Sequence, residues 1–261
     1  LLTGGMDSRG VLANCSDVGV RLRSALTWGQ FDELAGSDPS VASEISKAFG
    51  IRHSFVHISA DSWAEFSLDW SKLSCLSNDN AVCYASPDCT IDDTLPRSSL
   101  LLTGDQVFGV GPIPDTINDV IDYLSATAIR PASATLKSIC KESVVDGLLD
   151  QRRNDLVCVA KRCLSSNLKD MQEYVFFHAH VVPWLFGAGT FKAPMFQVAR
   201  PLMSRKILDF IGMLEPKFRV DKYLYDAYLR DVYPAVVRLP RAYKTGGVQW
   251  SSYVSSETRL R

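Results

Sequence analysis

The chain opens Leu1-Leu2-Thr3-Gly4-Gly5-Met6-Asp7-Ser8-Arg9-Gly10: an apolar run that breaks into paired glycines, then an acid and a hydroxyl, then a stretch able to form a helix. A strand that turns on glycine straight into a helix commits the chain to βα packing and leaves the first N–H groups of the helix facing the turn. Adjacent glycines allow a turn with positive φ and a close approach to an anion, and the helix dipole favours negative charge at the same place. The pattern is neither Gly-x-x-x-x-Gly-Lys-Ser/Thr nor Gly-x-Gly-x-x-Gly. With Asp7 and Ser8 at the helix start it implies a phosphate cradle beside an acid, as a metal-bound nucleotide requires. The plain alternative is a glycine-rich strand-to-helix turn that binds nothing.

Alternation continues beyond this turn. Residues 9–15 suit a helix and Arg23-Ser24-Ala25-Leu26-Thr27-Trp28 a short buried strand. Asp38-Pro39 then starts a helix whose Val41, Ile45, Ala48 and Phe49 recur at helical spacing until Gly50, and residues 53–58 alternate as a strand. Residues 62–74 form an amphipathic pattern with Trp63, Phe66, Trp70 and Leu73 on one face, better read as core than as a ligand platform. After a polar stretch, residues 98–103 read as a buried strand ending in Thr103-Gly104-Asp105-Gln106-Val107-Phe108-Gly109, a second glycine turn with an acid. Alternating βα units imply a parallel sheet, whose ligands sit beyond the carboxyl ends of strands, so both glycine-acid turns are expected at one crevice. Beyond Pro112 the pattern supports helices at 115–126, 132–141, 143–164, 168–186, 204–214 and 221–233, with no strand evident up to 186. The expected organisation is an α/β core over 1–112 and a mostly helical region over 113–261.

A formal net charge of -1 gives no electrostatic reason to expect nucleic acid. No apolar run approaches the roughly 20 residues that span a bilayer, and no basic segment precedes an apolar signal core, so no membrane partner and a cytoplasmic location are expected. Seven cysteines, an odd number without a Cys-x-x-Cys pair, fit reduced thiols; Cys75, Cys83 and Cys89 match no standard zinc spacing. His178 and His180, one residue apart on an expected helix, point to different sides and make a poor metal pair. The first residue is not Met, which suggests that something precedes it.

Thr/Ser-Gly-Gly-x-Asp-Ser resembles the pyrophosphate loop of the ATP pyrophosphatase (N-type, PP-loop) superfamily, and four features in order narrow the resemblance to its asparagine synthetase-like branch. They are the opening loop; Leu26-Thr27-Trp28-Gly29 followed by Ser37-Asp38, Ala42, Ile45, Ala48, Gly50 and His53; Thr103 to Gly109; and Val198-Ala199-Arg200-Pro201-Leu202 running to Arg241-Ala242-Tyr243-Lys244-Thr245-Gly246. The run from Leu26 to His53 resembles the surroundings of the family's adenosine pocket. The run from Thr103 is similar to Gly-Asp-Glu-φ-Phe-Gly with Gln106 for Glu, and the last feature is similar to an Arg-x-Pro-Phe-Leu-Asp helix and lysine-bearing loop with Ser204 for Asp.

The resemblance implies an adenine nucleotide alpha hydrolase-like, Rossmann-like fold. It implies an ATP- and Mg²⁺-dependent, AMP-forming carbon-nitrogen ligase, in which a substrate carboxylate becomes an acyl-adenylate, pyrophosphate leaves, and ammonia or an amine opens the adenylate to an amide. Thr3, Gly4, Gly5, Asp7, Ser8, Thr27 and Gly104 would hold ATP and its pyrophosphate, Asp7 and Asp105 would ligate Mg²⁺, and Lys244 would stabilise the transferred charge. Arg200 and Arg241 read equally as phosphate or carboxylate clamps and as ion-pair partners.

The chain also departs from the family. Three positions before Asp105, where relatives carry Glu or Tyr to assist the amine, stands Leu102, which cannot accept a proton. An acid among residues 88–93 is the expected substitute, or the reaction differs from asparagine formation. The nitrogen comes from a glutaminase domain outside this sequence, from a partner subunit, or from an internal amine, as in β-lactam synthetases and lasso-peptide cyclases. The rival class is a degenerate nucleotide-binding scaffold, motivated by Leu102, Gln106 and Ser204. RNA thiolation by a related pyrophosphatase expects a reactive cysteine pair and a basic surface, and neither is evident.

Overall fold

Parallel pairing of short apolar runs organises the first part of the chain. The computed structural model describes residues 1–29, 35–57, 95–96, 99–186 and 197–242. Strands Ala25–Gly29 (β1) and His53–His57 (β2) pair in parallel with Leu26 opposite Ser54 and Thr27 opposite Phe55. Strands Leu100–Leu102 (β3) and Gln197–Ala199 (β4) form a second parallel pair. The opening residues lie between the pairs: Leu2 N–H donates to the Leu26 carbonyl at 2.8 Å, and the Leu1 nitrogen donates to the Leu102 carbonyl. Parallel strands need covered faces, and β1, β3 and the opening run are accordingly rich in apolar residues, with Leu2, Ala25, Leu26 and Leu101 buried.

Helix Met6–Asp17 (α1) follows the opening turn, and helix Asp38–Ala48 (α2) joins β1 to β2. The start of α2 is written locally: Ser37 accepts a hydrogen bond from Ser40 N–H, Pro39 lies in the first turn, and Gly50 beyond its end takes φ +63. Val41, Ala42 and Ile45 of α2 pack with Leu2, Leu12 and Ala25, and Leu26, Val56 and Leu101 form a second buried group. Ile45 is fully buried, which contributes about 2–3 kcal/mol.

The helical region begins with Ile117–Ile139 (α3), Glu142–Ala160 (α4) and Leu168–Phe176 (α5), whose Val120, Ile121, Leu124, Leu156, Ala160 and Val175 make a separate core. Helix α3 replaces the two helices expected at 115–126 and 132–141. Pro131 removes one donor, yet the strong helix formers around it carry the backbone through. The single helix expected at 168–186 instead widens into a π-helix over Phe177–Phe186 that contains Pro183. Helices Arg205–Met213 (α6), Pro216–Arg219 (α7), Tyr223–Val232 (α8) and Pro234–Arg238 (α9) complete the chain's described order.

The chain divides into two units, one of Leu1–Gln106, Phe191–Leu202 and Ala227–Arg261, the other of Val107–Thr190 and Met203–Asp226. The sequence pattern places everything beyond 112 in one region; the chain instead returns to the first unit twice. β4 is the reason for the first return, since a three-residue strand inside a helical stretch gains its partner only from β3, about 97 positions earlier in the register Leu100 to Gln197. The segment read as an Arg-x-Pro helix is therefore the end of this strand and a short 3-10 turn, Pro201–Met203. The expected helix at 62–74 and acids at 88–93 lie outside the described residues.

Candidate phosphate-binding site

Helix α1 starts without a side-chain cap, with Gly5 as its N-cap residue in extended backbone at φ -77, ψ 166. This corrects the expected left-handed turn: among the described residues the positive-φ glycines are Gly19, Gly36, Gly50, Gly109 and Gly111. Glycine is required at position 4 by crowding, because a Cβ there would lie 2.4 Å from the Ala242 Cβ. Ser8 closes the turn from inside the helix. Its Oγ accepts from Thr3 N–H at 3.1 Å and lies 3.1 Å from Thr3 Oγ1, which in turn accepts from Gly5 N–H at 3.3 Å. Gly4 N–H donates to Asp38 Oδ1 at 2.7 Å, so an acid at the start of α2 holds the loop from outside.

The second glycine turn meets the first directly. Thr103 N–H extends the β3–β4 ladder to the Ala199 carbonyl at 3.1 Å. A Cβ on the next residue, Gly104, would lie 2.3 Å from Ser8 N and 2.8 Å from the Asp7 carbonyl carbon. Only glycine lets the end of β3 rest on the first turn of α1. Asp105 Oδ2 accepts from Thr103 Oγ1 at 2.8 Å and from Arg200 Nε at 3.0 Å. Arg200 follows β4, so the parallel pair sets this ion pair, whose side chains are 17% and 33% exposed.

Thr27 is nearly fully buried and faces the same turn from the other side; its Oγ1 donates to the Leu2 carbonyl at 2.6 Å and lies 3.1 Å from His53 Nε2. Its hydroxyl holds the approach to the loop in place. Lys244 lies outside the described residues, two positions after Ala242, whose N–H donates to the Gly4 carbonyl at 3.3 Å. His178 and His180 each sit against an aromatic ring, Tyr174 and Phe176 respectively. Cys15, Cys140, Cys158 and Cys163 are free, while Cys75, Cys83 and Cys89 lie outside the described residues.

The sequence pattern does not single out Arg9 or Asp38 as site residues; the fold does. Arg9 is fully buried, and its guanidinium donates to the carbonyls of Val236, Leu239, Gly4 and Pro240. Burial first, and the neighbouring charge of Arg241 second, lower its pKa from the ordinary arginine value. The local signal for Arg9 is faint: residues 8–13 of α1 are all buried, a helix start covered on every side, but three of its four acceptors lie more than 200 positions away.

Chemically, the arrangement offers an uncapped helix N-terminus, hydroxyls at Thr3 and Ser8, and the carboxyl-bearing turns of Asp7 and Asp105 against each other. An anion fits such a place. Among the described residues no three His, Cys, Asp or Glu side chains cluster to hold a metal. Two carboxylates with water and phosphate oxygens still suit Mg²⁺, which keeps much of its hydration shell. Among the described residues no helix is long and apolar enough to cross a membrane. No protein-family model and no curated protein sequence matches the chain.

Proposed function

We propose that the chain is an ATP-dependent, AMP-forming amide ligase resembling the synthetase domain of asparagine synthetases. The close approach of Gly104 to the Ser8 amide nitrogen carries the reading, because it sets two separately recognised glycine-acid turns against each other. The strand order supports it as well. With residues 1–3 counted as the first strand, the order becomes 3-2-1-4-5, that of a Rossmann-like doubly wound sheet. In such a sheet the turns after the first and fourth strands would flank the switch point, where nucleotides bind.

In this reading a substrate carboxylate oxygen bonds to the α-phosphorus of ATP as the bond to the β-phosphate oxygen breaks. The pyrophosphate leaves against the start of α1. The amides of the first turn of α1, beyond the Gly5 N–H that Thr3 Oγ1 accepts, meet its charge, Thr3 orients Ser8, and Thr27 holds the strand end that positions Thr3. Asp7 and Asp105 would hold Mg²⁺, whose chemistry is to offset the phosphate charge. Arg200 holds Asp105 until a cation competes for it. Lys244 follows closely on the segment docked against Gly4 and is the cation assigned to the transition state. The step that follows, attack of ammonia or another amine, requires a base other than Leu102.

Measuring pyrophosphate release across carboxylate and amine pairs tests the reading, with Asp7→Ala as control. Release that depends on the carboxylate and falls at least ~100-fold in Asp7→Ala supports it. Binding of ATP with no release for any pair favours the scaffold reading that Leu102, Gln106 and Ser204 motivate.

A further inference from the structure

We propose that Arg9 is a positioning residue that fastens segment 236–242 onto the glycine loop, so that the loop's hold on pyrophosphate depends on that segment being docked. The inference rests on the reading of the loop as a pyrophosphate site.

Four observations converge. The Arg9 side chain is fully buried, and its hydrogen bonds to Val236, Leu239, Gly4 and Pro240 all end on backbone carbonyls. One nitrogen serves Val236 at 3.0 Å and Leu239 at 2.9 Å, and the other serves Gly4 at 3.2 Å together with Pro240. The Gly4 carbonyl is shared, since it also accepts from Ala242 N–H. Leu239 and Ala242 pack against the core of Leu2 and Leu12, so the segment is seated by apolar contact as well.

A planar fork with two donor edges suits two pairs of carbonyls, whereas an ammonium offers its donors from one point. The carbonyls satisfy hydrogen bonds without cancelling charge. Arg9 therefore keeps a buried positive charge beside the loop, and Arg241 adds a second close enough to act on it. An anion bound at the start of α1 is stabilised by both, and only while the segment holds them there. By linkage, an anion that prefers the docked form must tighten the docking.

The test is hydrogen exchange of amides 236–242 in the full chain, with and without Mg²⁺-pyrophosphate, beside a pyrophosphate titration. Arg9→Lys breaks the fork, Gly4→Ala drives Ala242 away while keeping Arg9, and Val56→Ala is a core variant that lowers stability in the group of Leu26 and Leu101, against which no residue of the segment packs. In the unaltered protein pyrophosphate should slow exchange of the segment roughly 10-fold. Arg9→Lys and Gly4→Ala should exchange fast with or without pyrophosphate and bind it roughly 10-fold more weakly, while Val56→Ala behaves as the unaltered protein. Unaltered protection and affinity in Arg9→Lys, or equal weakening in Val56→Ala, overturns the proposal. Failure of the unaltered protein to bind pyrophosphate overturns the reading of the site and the coupling with it. Fastening is then judged by ligand-free exchange alone: faster exchange in Arg9→Lys upholds it, and equal exchange overturns it.

Discussion

Among the described residues each unit buries one arginine, and the two are satisfied in opposite ways. Arg219 in the second unit is 5% exposed and forms ion pairs with Asp170 and Glu173, the latter at 2.5 Å. Lys169, fully buried alongside, donates to Gln172 Oε1 and the Gly111 carbonyl at 2.8 Å each, and also to the carbonyl of Val110. That group neutralises itself and fixes a turn. Arg9 in the first unit meets carbonyls, and the charge that acts on it, Arg241, repels it. Buried charge with its own counter-ions reads as architecture; buried charge without cancellation beside an uncapped helix start reads as preparation for an anion.

The comparison breaks most readily at Arg219. Arg219→Met should destabilise the second unit by about 3–5 kcal/mol in urea unfolding, because two carboxylates lose their partner. Adding Asp170→Asn and Glu173→Gln should recover part of that loss, and a triple variant no better than the single one would show that the group is not self-neutralised. Gly104→Ala probes the other side. Its Cβ would strike Ser8 N, so a loss of about 1–3 kcal/mol is expected together with loss of pyrophosphate binding, read by calorimetry. Ser37→Ala removes a local cap from the helix that carries Asp38 and should cost about 1 kcal/mol in thermal unfolding with only weakened pyrophosphate binding.

The smallest effect sharpens the same contrast through pH. Burial, then the charge of Arg152, lower the pKa of His180 from the ordinary 6.5. The unfolded chain thus takes up the proton first as pH falls. The second unit should keep this stability above 6.5 and lose it as pH drops through the lowered value, with His180→Gln flattening that part of a stability-pH curve.

Much of the first unit was legible because its signals are local. Ser37, Pro39 and Gly50 bound α2 within a residue or two of the reading from sequence, β2 and β3 fall inside the runs that pointed to them, and β1 passes the end of its run by one residue, Gly29. Both glycine turns were visible, the first as a break into a helix and the second as an acid-bearing turn at the end of a strand. Helix boundaries further on were less so. Pro131 has the character of a breaker but is carried within α3, while Pro183 lies in a widened helix that composition does not announce. β4 was missed because three residues carry almost no periodicity, and Arg9 because a side chain's acceptors are chosen by whatever the fold brings past it.

The order of residues specified the pieces: apolar runs, caps, paired glycines and acids placed where backbone geometry and helix polarity act over a few positions. Their meeting was not specified locally. Gly104 against Ser8, Arg200 on Asp105, and Arg9 gripping residues 236–240 join positions separated by about 95 residues or more. Close packing decides such contacts, because which atoms come within about 3 Å depends on every element between them, and no short window of sequence holds that information.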